Sequence, residues 1–486
     1  MFYFARTNES TMNNYKMSPA LKWVAILTVG LLGTQACTKQ LNQVPLTQKE
    51  LSNFFRSEME VEEYINAVYG MLQWNGIYGL YFPALGEIPS DNTYDEVPAN
   101  DGQVYGQLDE FATIPGNGLI ATVWRDHYRA IQGANVVLNR IGDVAFASEE
   151  QKSASIGEMQ FIRALLYFNL VRTFGDVPLV VEETTDPNLY FGQGRTAADA
   201  VYQQIIADLE AAIGNLPVRQ TKQGKATRHA ANALLGKVYL TRNEPAKAKQ
   251  YFLEVVNSEQ YQLEAIDRVF AIDNENNDEI IFDVQFASGV NGNQEGSSMQ
   301  QQFSPSGTLA NAKGHNLPTR SLYNLYAADD LRKEYYVGIT ANNIPFSKKL
   351  VQPTTAPADG GSNFVVIRYA DILLLLAEIE NETGNGAAAV AYVNAVRQRA
   401  NASPIQAGLP ADRLGEAIEL ERRLELICEG HRWFDLLRYG TAVDVMNAWF
   451  DAEGINITVG AHHVLMPIPQ GQLDTDPAIT QNIGYN

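Results

Sequence analysis

The stretch QWNGIYGLYFPALGEIPSDNTYDE, residues 73–96, gathers groups suited to holding a polyhydroxylated molecule. Trp74, Tyr78, Tyr81 and Tyr94 offer flat apolar faces, and Glu87, Asp91, Asn92 and Asp95 offer planar hydrogen-bonding side chains. Aromatic planes stack on the C–H faces of a pyranose, while carboxylates and amides bond its hydroxyls. These residues sit among glycines and prolines rather than at helical spacing, so a loop presents them. Trp74, Tyr78, Tyr81, Asp91, Asn92 and Tyr94 are the candidate ligand contacts. The competing reading is a loop pinned to its scaffold by its own aromatics.

Groups for bond-making chemistry are scarce. The chain has no G-x-S-x-G elbow, no H-E-x-x-H helix and no glycine-rich phosphate cradle. Carboxylates abound, but the sequence alone sets no two of them across a glycosidic bond. His462 and His463 are adjacent and diverge on a strand, which disfavours shared metal ligation. DNENNDE (273–279) lacks the glycine and the terminal spacing of a calcium loop and reads as a turn. No catalytic residue, metal ligand or cofactor is assigned. A net charge of −20 without a basic run argues against nucleic acid as a partner.

The two cysteines, Cys37 and Cys428, are far apart and form no framework. An uncharged apolar run from Trp23 to Leu32 follows Lys16 and Lys22. A membrane span needs about 20 residues, so this run fits the core of a secretory signal instead. A start at Met12 or Met17 suits such a leader better than Met1. The segment resembles a bacterial lipoprotein signal, in which cleavage leaves cysteine first and its thiol carries lipid. Ala36 fits that pattern; Gln35 is atypical, and Thr34 stands where leucine is usual. The resemblance implies removal of residues 1–36, a lipid on Cys37, and a polar tether TKQLNQ behind it. Cys428 is then unpaired and reads as a small buried hydrophobe on a helix face.

Helical periodicity dominates the elements that must carry these groups. It runs through EMEVEEYINAVYGMLQW (58–74), ATVWRDHYRAIQGANVVLNRIG (121–142), with Trp124 in the core, and EMQFIRALLYFNLVRTFG (158–175), which Gly175 stops. A helix over 196–217 opens on a capping-box variant, Thr196 with Asp199. Residues 228–256 read as a tetratricopeptide-like helical hairpin turning at Arg242–Pro245, with Ala233 and Gly236 allowing close contact. Residues 369–400 read as a second, turning at Gly384–Gly386. Neither buries its apolar face alone, so each must stack on neighbours. DEIIFDVQF (278–286) reads as a strand, and residues 450–486 show little helix. Long irregular loops near 75–118 and 287–318 are where function concentrates. The second is placed to close over a ligand, with Phe303 and His315 as its only rings. The expected fold is mainly α, a single domain over 37–486 in which helical hairpins scaffold the loops, with minor β.

ERRLELICEGHRWFDLLRYG (421–440) is the most distinctive segment. Leu424, Ile427, His431 and Phe434 step along one helix face. Asp435 lies three residues from both Arg432 and Arg438, within ion-pair reach on a helix. If that trio is buried, truncating Asp435 strands two guanidiniums at a cost of about 3–5 kcal/mol. With Glu425 and Trp433, these residues are assigned to the fold rather than to ligand.

The segment resembles the carboxy-terminal signature of the SusD/RagB family of Bacteroidetes surface lipoproteins. The match lies in Glu421, Arg422, Glu425, Glu429, Gly430, His431, Arg432, Trp433, Asp435, Leu436 and Arg438. FIRALLYFNLVRTFGDVPLV, DEIIFDVQF, IRYADILLLLAEIENETG, VNAVRQRAN and LMPIPQGQLDTDPAITQNIGY agree in the same order. The resemblance implies a lipid-anchored, surface-exposed protein of the outer membrane. It captures a glycan or other nutrient and passes it to a SusC-like TonB-dependent transporter, without catalysis. A secreted carbohydrate-active enzyme is one rival. A family member carrying peptide or other non-glycan cargo is another. No ligand-binding motif carries over residue by residue.

Overall fold

The computed structural model describes residues 54–485, apart from 187, 220–221, 293–294 and 352–355. The leader read at 1–36 and the lipidated Cys37 lie outside the described residues.

Helix α1 (Glu58–Met71) starts at Ser57, whose side chain accepts the Glu60 N–H. Asn117 caps α2 (Gly118–Arg140) by taking the N–H groups of Leu119 and Ile120. Ser148 opens α3 (Glu149–Phe174), and Gly175 closes it at φ 71°, a conformation suited to glycine. Helix α4 (Ala198–Asn215) packs along α3. The capping box expected at Thr196 does not form. Thr196 is committed to a backbone bridge with Val177, and Asp176 caps instead by accepting the Ala198 N–H at 2.8 Å.

Both tetratricopeptide-like hairpins are present. Helices α5 (Arg228–Thr241) and α6 (Pro245–Val256) form the first. A Cβ on Gly236 would sit 2.4 Å from the Phe252 ring, so only glycine lets that ring seat. Helices α7 (Tyr369–Glu382) and α8 (Gly386–Arg399) form the second, and α9 (Ala411–Glu425) packs on both of them. Three short antiparallel pairs supply the β structure: β1 (Thr93–Tyr94) with β3 (Leu317–Pro318), β2 (Ile280–Val284) with β6 (Phe364–Arg368), and β4 (Val337–Ile339) with β5 (Pro345–Ser347). The expected strand is β2. Its partner β6 runs into α7 with no glycine or proline between them, so FVVIRYADILLLL (364–376) shows no element boundary in the sequence. Among the described residues, no helix is long and apolar enough to cross a membrane.

The signature is two helices, not one. Helix α9 ends at Glu425, a turn follows with Cys428 at φ 61° and Gly430 at φ 80°, and α10 (Arg432–Tyr439) begins beyond it. Leu424 and Ile427 therefore pack with Leu322, Tyr326 and Val337, while Phe434 and Trp433 enter the main core. Cys428 is buried and free, but it sits in the turn rather than on a helix face. Asp435 does pair with Arg438, at 2.9 Å, yet its other partner is Arg422 at 3.0 Å. Arg432 turns the other way, to Asp91 and Glu419, each at 2.7 Å. The break in the helix sets this rearrangement, because Arg422 on α9 folds back beside α10. Helix α11 (Ala442–Glu453) follows, and two short helical turns, Ala461–Val464 and Gln470–Thr475, are the only helix after it among the described residues.

Around this turn lies a buried ionic cluster. Arg332, Arg368, Arg397, Arg399 and Lys349 meet Glu279, Glu421, Glu425, Glu429 and Asp330, five cations to five carboxylates. Glu425 is fully buried and faces Arg332, Arg368 and Arg399. Those cations outweigh the cost of its burial and hold its carboxyl far below the ordinary range.

Candidate ligand groove

Past α1 the chain turns irregularly through residues 72–80, with Ile77 at φ −111°, ψ −116°. Two glycines let this turn lie flat. A Cβ on Gly76 would come 2.3 Å from the Thr122 carbonyl of α2, and one on Gly79 would come 2.1 Å from the Gln73 carbonyl. The Gly76 N–H also donates to Asp126 of α2 at 3.1 Å. Trp74 is thereby laid beside the first half of α2 with 36% of its surface exposed. Gly76→Ala is expected to lift the turn off α2 and weaken ligand binding at least about tenfold, at a stability cost of about 1–3 kcal/mol. Calorimetric titration and thermal melts of the variant check this.

Helix α2 forms the floor, because Trp124, Arg125, Tyr128, Arg129 and Gln132 share one side at spacings of three to four residues. Residues 178–186 and 188–194 form the opposite wall. They are tied down at several points: Gln132 exchanges two hydrogen bonds with Thr184 (3.0 and 3.2 Å), Asn135 reaches the carbonyls of Val180 and Glu182, and Arg163 reaches that of Val181 at 2.8 Å. Gln472, Thr475, Asp476 and Ile479 close one end, and Asp476 accepts the Gly192 N–H at 2.9 Å. The groove is open to solvent and measures about 800 Å³, within the range of ligand-binding clefts.

Its chemistry is rings with sparse polar groups. Trp74, Tyr128, Tyr190 and Phe191 line it, and Phe191 is 60% exposed at the mouth. Arg129 is exposed and forms no ion pair among the described residues. Arg125 uses one N–H on Asp126 and leaves the rest of its guanidinium half exposed. Asp476 is the lone carboxylate of the described lining, and both its oxygens already accept backbone N–H groups.

The candidate contacts read from the sequence separate sharply. Trp74 alone opens on this groove. Tyr78 is buried, packs on Phe82 and Phe364, and takes a hydrogen bond from Asn169 at 3.0 Å, so no ligand reaches it. Asp91 and Asn92 are buried against the signature: Asp91 pairs with Arg432 and Arg423, and Asn92 accepts from Arg423 at 3.0 Å. Tyr81 is half-buried, edge-on to Tyr105, and Tyr94 is half-buried in β1. The reason is that residues 86–92 are sewn to α10. The Trp433 N–H donates to the Gly86 carbonyl, and Glu87 accepts the N–H groups of Gly430 and His431. Among the described residues, the 287–318 segment contributes nothing to the lining. Phe303 is buried, and His315 is buried between Asp95 and Asp101 at 2.9 and 3.0 Å.

Glu87 carries a pH signature. Burial without a cation in contact raises its carboxyl to about 7, against the two N–H bonds that pull it down. An acid whose pKa rises on folding stabilises fully below its unfolded pKa, and that contribution is lost as pH climbs through the folded value. Glu87→Gln keeps an acceptor for both N–H groups. It is expected to raise the melting temperature at pH 8 and to change it little at pH 4, which paired thermal melts would reveal.

Comparison with known proteins agrees with this architecture. A family model described as "SusD family" matches residues 336–485. A second, described as "Starch-binding associating with outer membrane", matches residues 46–240. SusD-like protein P25 of Formosa agariphila is 26% identical over 93% of this chain and 96% of its own length. A SusD-like protein of Bacteroides ovatus is 24% identical over 86% of this chain and 82% of its own. Among solved structures, a laminarin-binding SusD-like protein is 29% identical with a TM-score of 0.76, covering 89% of this chain and 100% of that one. Surface glycan-binding protein A from Bacteroides thetaiotaomicron, in complex with laminarihexaose, shares the fold at 20% identity and a TM-score of 0.74, over 88% and 99% of the two chains. Two family models from the two halves of the chain, near full-length relatives and a common helical-hairpin fold lead to one assignment: the chain belongs to the SusD/RagB family.

Proposed function

We propose that this protein binds an oligosaccharide at the cell surface and delivers it to a SusC-like TonB-dependent transporter. Lipid on Cys37 tethers it to the outer membrane, and residues 37–486 act as one domain. The carrying observation is the ring-lined groove of Trp74, Tyr128, Tyr190 and Phe191, with arginine and glutamine side chains beside the rings. Rings cover the apolar faces of sugar units, and the planar polar groups take hydroxyls. The laminarin-binding relative supports a glycan as the cargo. The family description "associating with outer membrane" supports the location.

The lone, already engaged Asp476 favours holding over cutting. Glycoside hydrolysis needs two carboxylates flanking the bond, about 5–9.5 Å apart. The test is a calorimetric titration with a panel of neutral oligosaccharides, laminari-oligosaccharides among them, alongside a reducing-end assay. Saturable binding with no new reducing ends is the expected result. Binding to none of the panel, or steady release of shortened products, overturns it. Co-purification with a TonB-dependent transporter from native membranes tests the delivery step.

A further inference from the structure

A second site, independent of the groove, is built at the C-terminal end of α3. Arg172 lies sandwiched between two rings, its guanidinium carbon 3.9 Å from the Phe168 centroid and 4.1 Å from that of Phe434. With both faces covered, it can be satisfied only edge-on. Its Nε donates to the Phe168 carbonyl and one Nη to Asn169, at 3.2 and 2.9 Å. The other Nη has no hydrogen-bond acceptor among the described residues, although a guanidinium carries five donors.

Nor does a carboxylate neutralise it. The neighbouring chain of contacts Lys237–Asp371–Arg422–Asp435–Arg438–Glu378 is already balanced, three cations to three anions. Arg172 makes no ion pair among the described residues and is the surplus charge. Burial lowers its pKa to about 10, which still leaves it cationic at neutral pH.

Three cavities touch Arg172. Two, of about 30 and 20 Å³, have room for a single water each. The third measures about 390 Å³ and opens to solvent between α3, α10 and α11. Its walls are mostly apolar, with Val171, Leu437, Val443 and Leu465; Arg438 and Thr241 also line it but are already engaged, Arg438 by Glu378 and Asp435 and Thr241 by the Lys237 carbonyl at 2.9 Å. Tyr202 of α4 also lines it, and its hydroxyl has no hydrogen-bond partner among the described residues. One guanidinium without an ion pair and one free hydroxyl therefore line the same mostly apolar pocket.

We propose that this pocket binds a small carboxylic acid with an apolar body, its carboxylate on Arg172 and Tyr202 and its body against Val443 and Leu465. A bare anion leaves the walls wet, and a neutral apolar molecule leaves the guanidinium unmatched.

The test titrates the protein with phenylacetate, with phenylacetamide and with inorganic phosphate, by calorimetry or ligand-observed NMR. Phenylacetate is expected to bind saturably. The amide should bind about tenfold more weakly or worse, the worth of a charge-assisted hydrogen bond. Phosphate should bind more weakly than phenylacetate. Val443→Trp fills the pocket without touching Arg172 and should abolish binding, and Tyr202→Phe should weaken it several-fold. Thermal melts of both variants verify that they fold. Absent phenylacetate binding, equal affinity for the amide, tighter binding of phosphate, or binding that survives Val443→Trp in a folded variant would each overturn the proposal. Laminari-oligosaccharide affinity should not respond to phenylacetate, which separates this site from the groove.

Discussion

Glu425→Ala is expected to unfold the protein at ordinary temperatures or to cost it about 3–5 kcal/mol or more. Glu425 accepts hydrogen bonds from Arg332 at 3.2 Å and Arg368 at 2.7 Å and pairs with Arg399, all inside the core. Its removal leaves three guanidiniums facing a cavity with too few acceptors. An unpaired charge in a low-dielectric interior costs far more than an ion pair contributes when intact. Glu425→Gln keeps the shape and one acceptor, so its loss should be smaller but still well above 1 kcal/mol. Glu416→Ala is the control: Glu416 and Arg413 pair on the surface, and such pairs contribute about 0–1 kcal/mol. Urea denaturation followed by circular dichroism measures all three. A Glu425→Ala variant as stable as Glu416→Ala would show that the cluster is dispensable.

The second large effect is on ligand. Trp74→Ala and Phe191→Ala are each expected to weaken oligosaccharide binding about tenfold to a hundredfold, and the double variant to bind nothing measurable. Phe191 is 60% exposed, so its loss should move stability by about 0.5 kcal/mol; Trp74 is 36% exposed, so its loss should cost about 1–3 kcal/mol, with thermal melts checking that the variant folds. Tyr78→Phe should do the reverse. It deletes the hydroxyl bonded by Asn169, costs about 1 kcal/mol of stability, and leaves affinity intact. Affinity loss in Tyr78→Phe with none in Phe191→Ala would move the site away from the groove described here.

The contrast between Trp74 and Tyr78 shows what the sequence could carry. Helix periodicity located both hairpins, because each buries a face whose spacing is visible in the chain. The strand at 280–284 was equally legible, but β6 was not, since its apolar residues merge with those of α7. Asp91 and Asn92 looked like ligand groups because they sit in a polar loop. Their partners Arg423 and Arg432 lie more than 300 residues away, beyond any local pattern. The tight approach of Gly86 to Gly430, where a Cβ would meet a carbonyl oxygen at 2.3 Å, fixes that pairing and is likewise invisible locally. Tyr128 was hidden as one apolar position of a helix. Tyr190 and Phe191 did leave a signal, an aromatic pair inside the polar, proline- and glycine-containing stretch DPNLYFGQG, where no helix or strand needs them. The Arg432–Asp435 pairing failed because it assumed unbroken helix across Cys428 and Gly430, which both adopt positive φ.

Hydrogen exchange with and without laminarihexaose tests most directly whether the groove holds a glycan. Slower exchange confined to residues 73–79, 120–132, 184–194 and 472–479, with the oligosaccharide recovered intact, is the predicted result. Protection centred on the 287–318 segment, or a shortened sugar in the recovered solution, would contradict it.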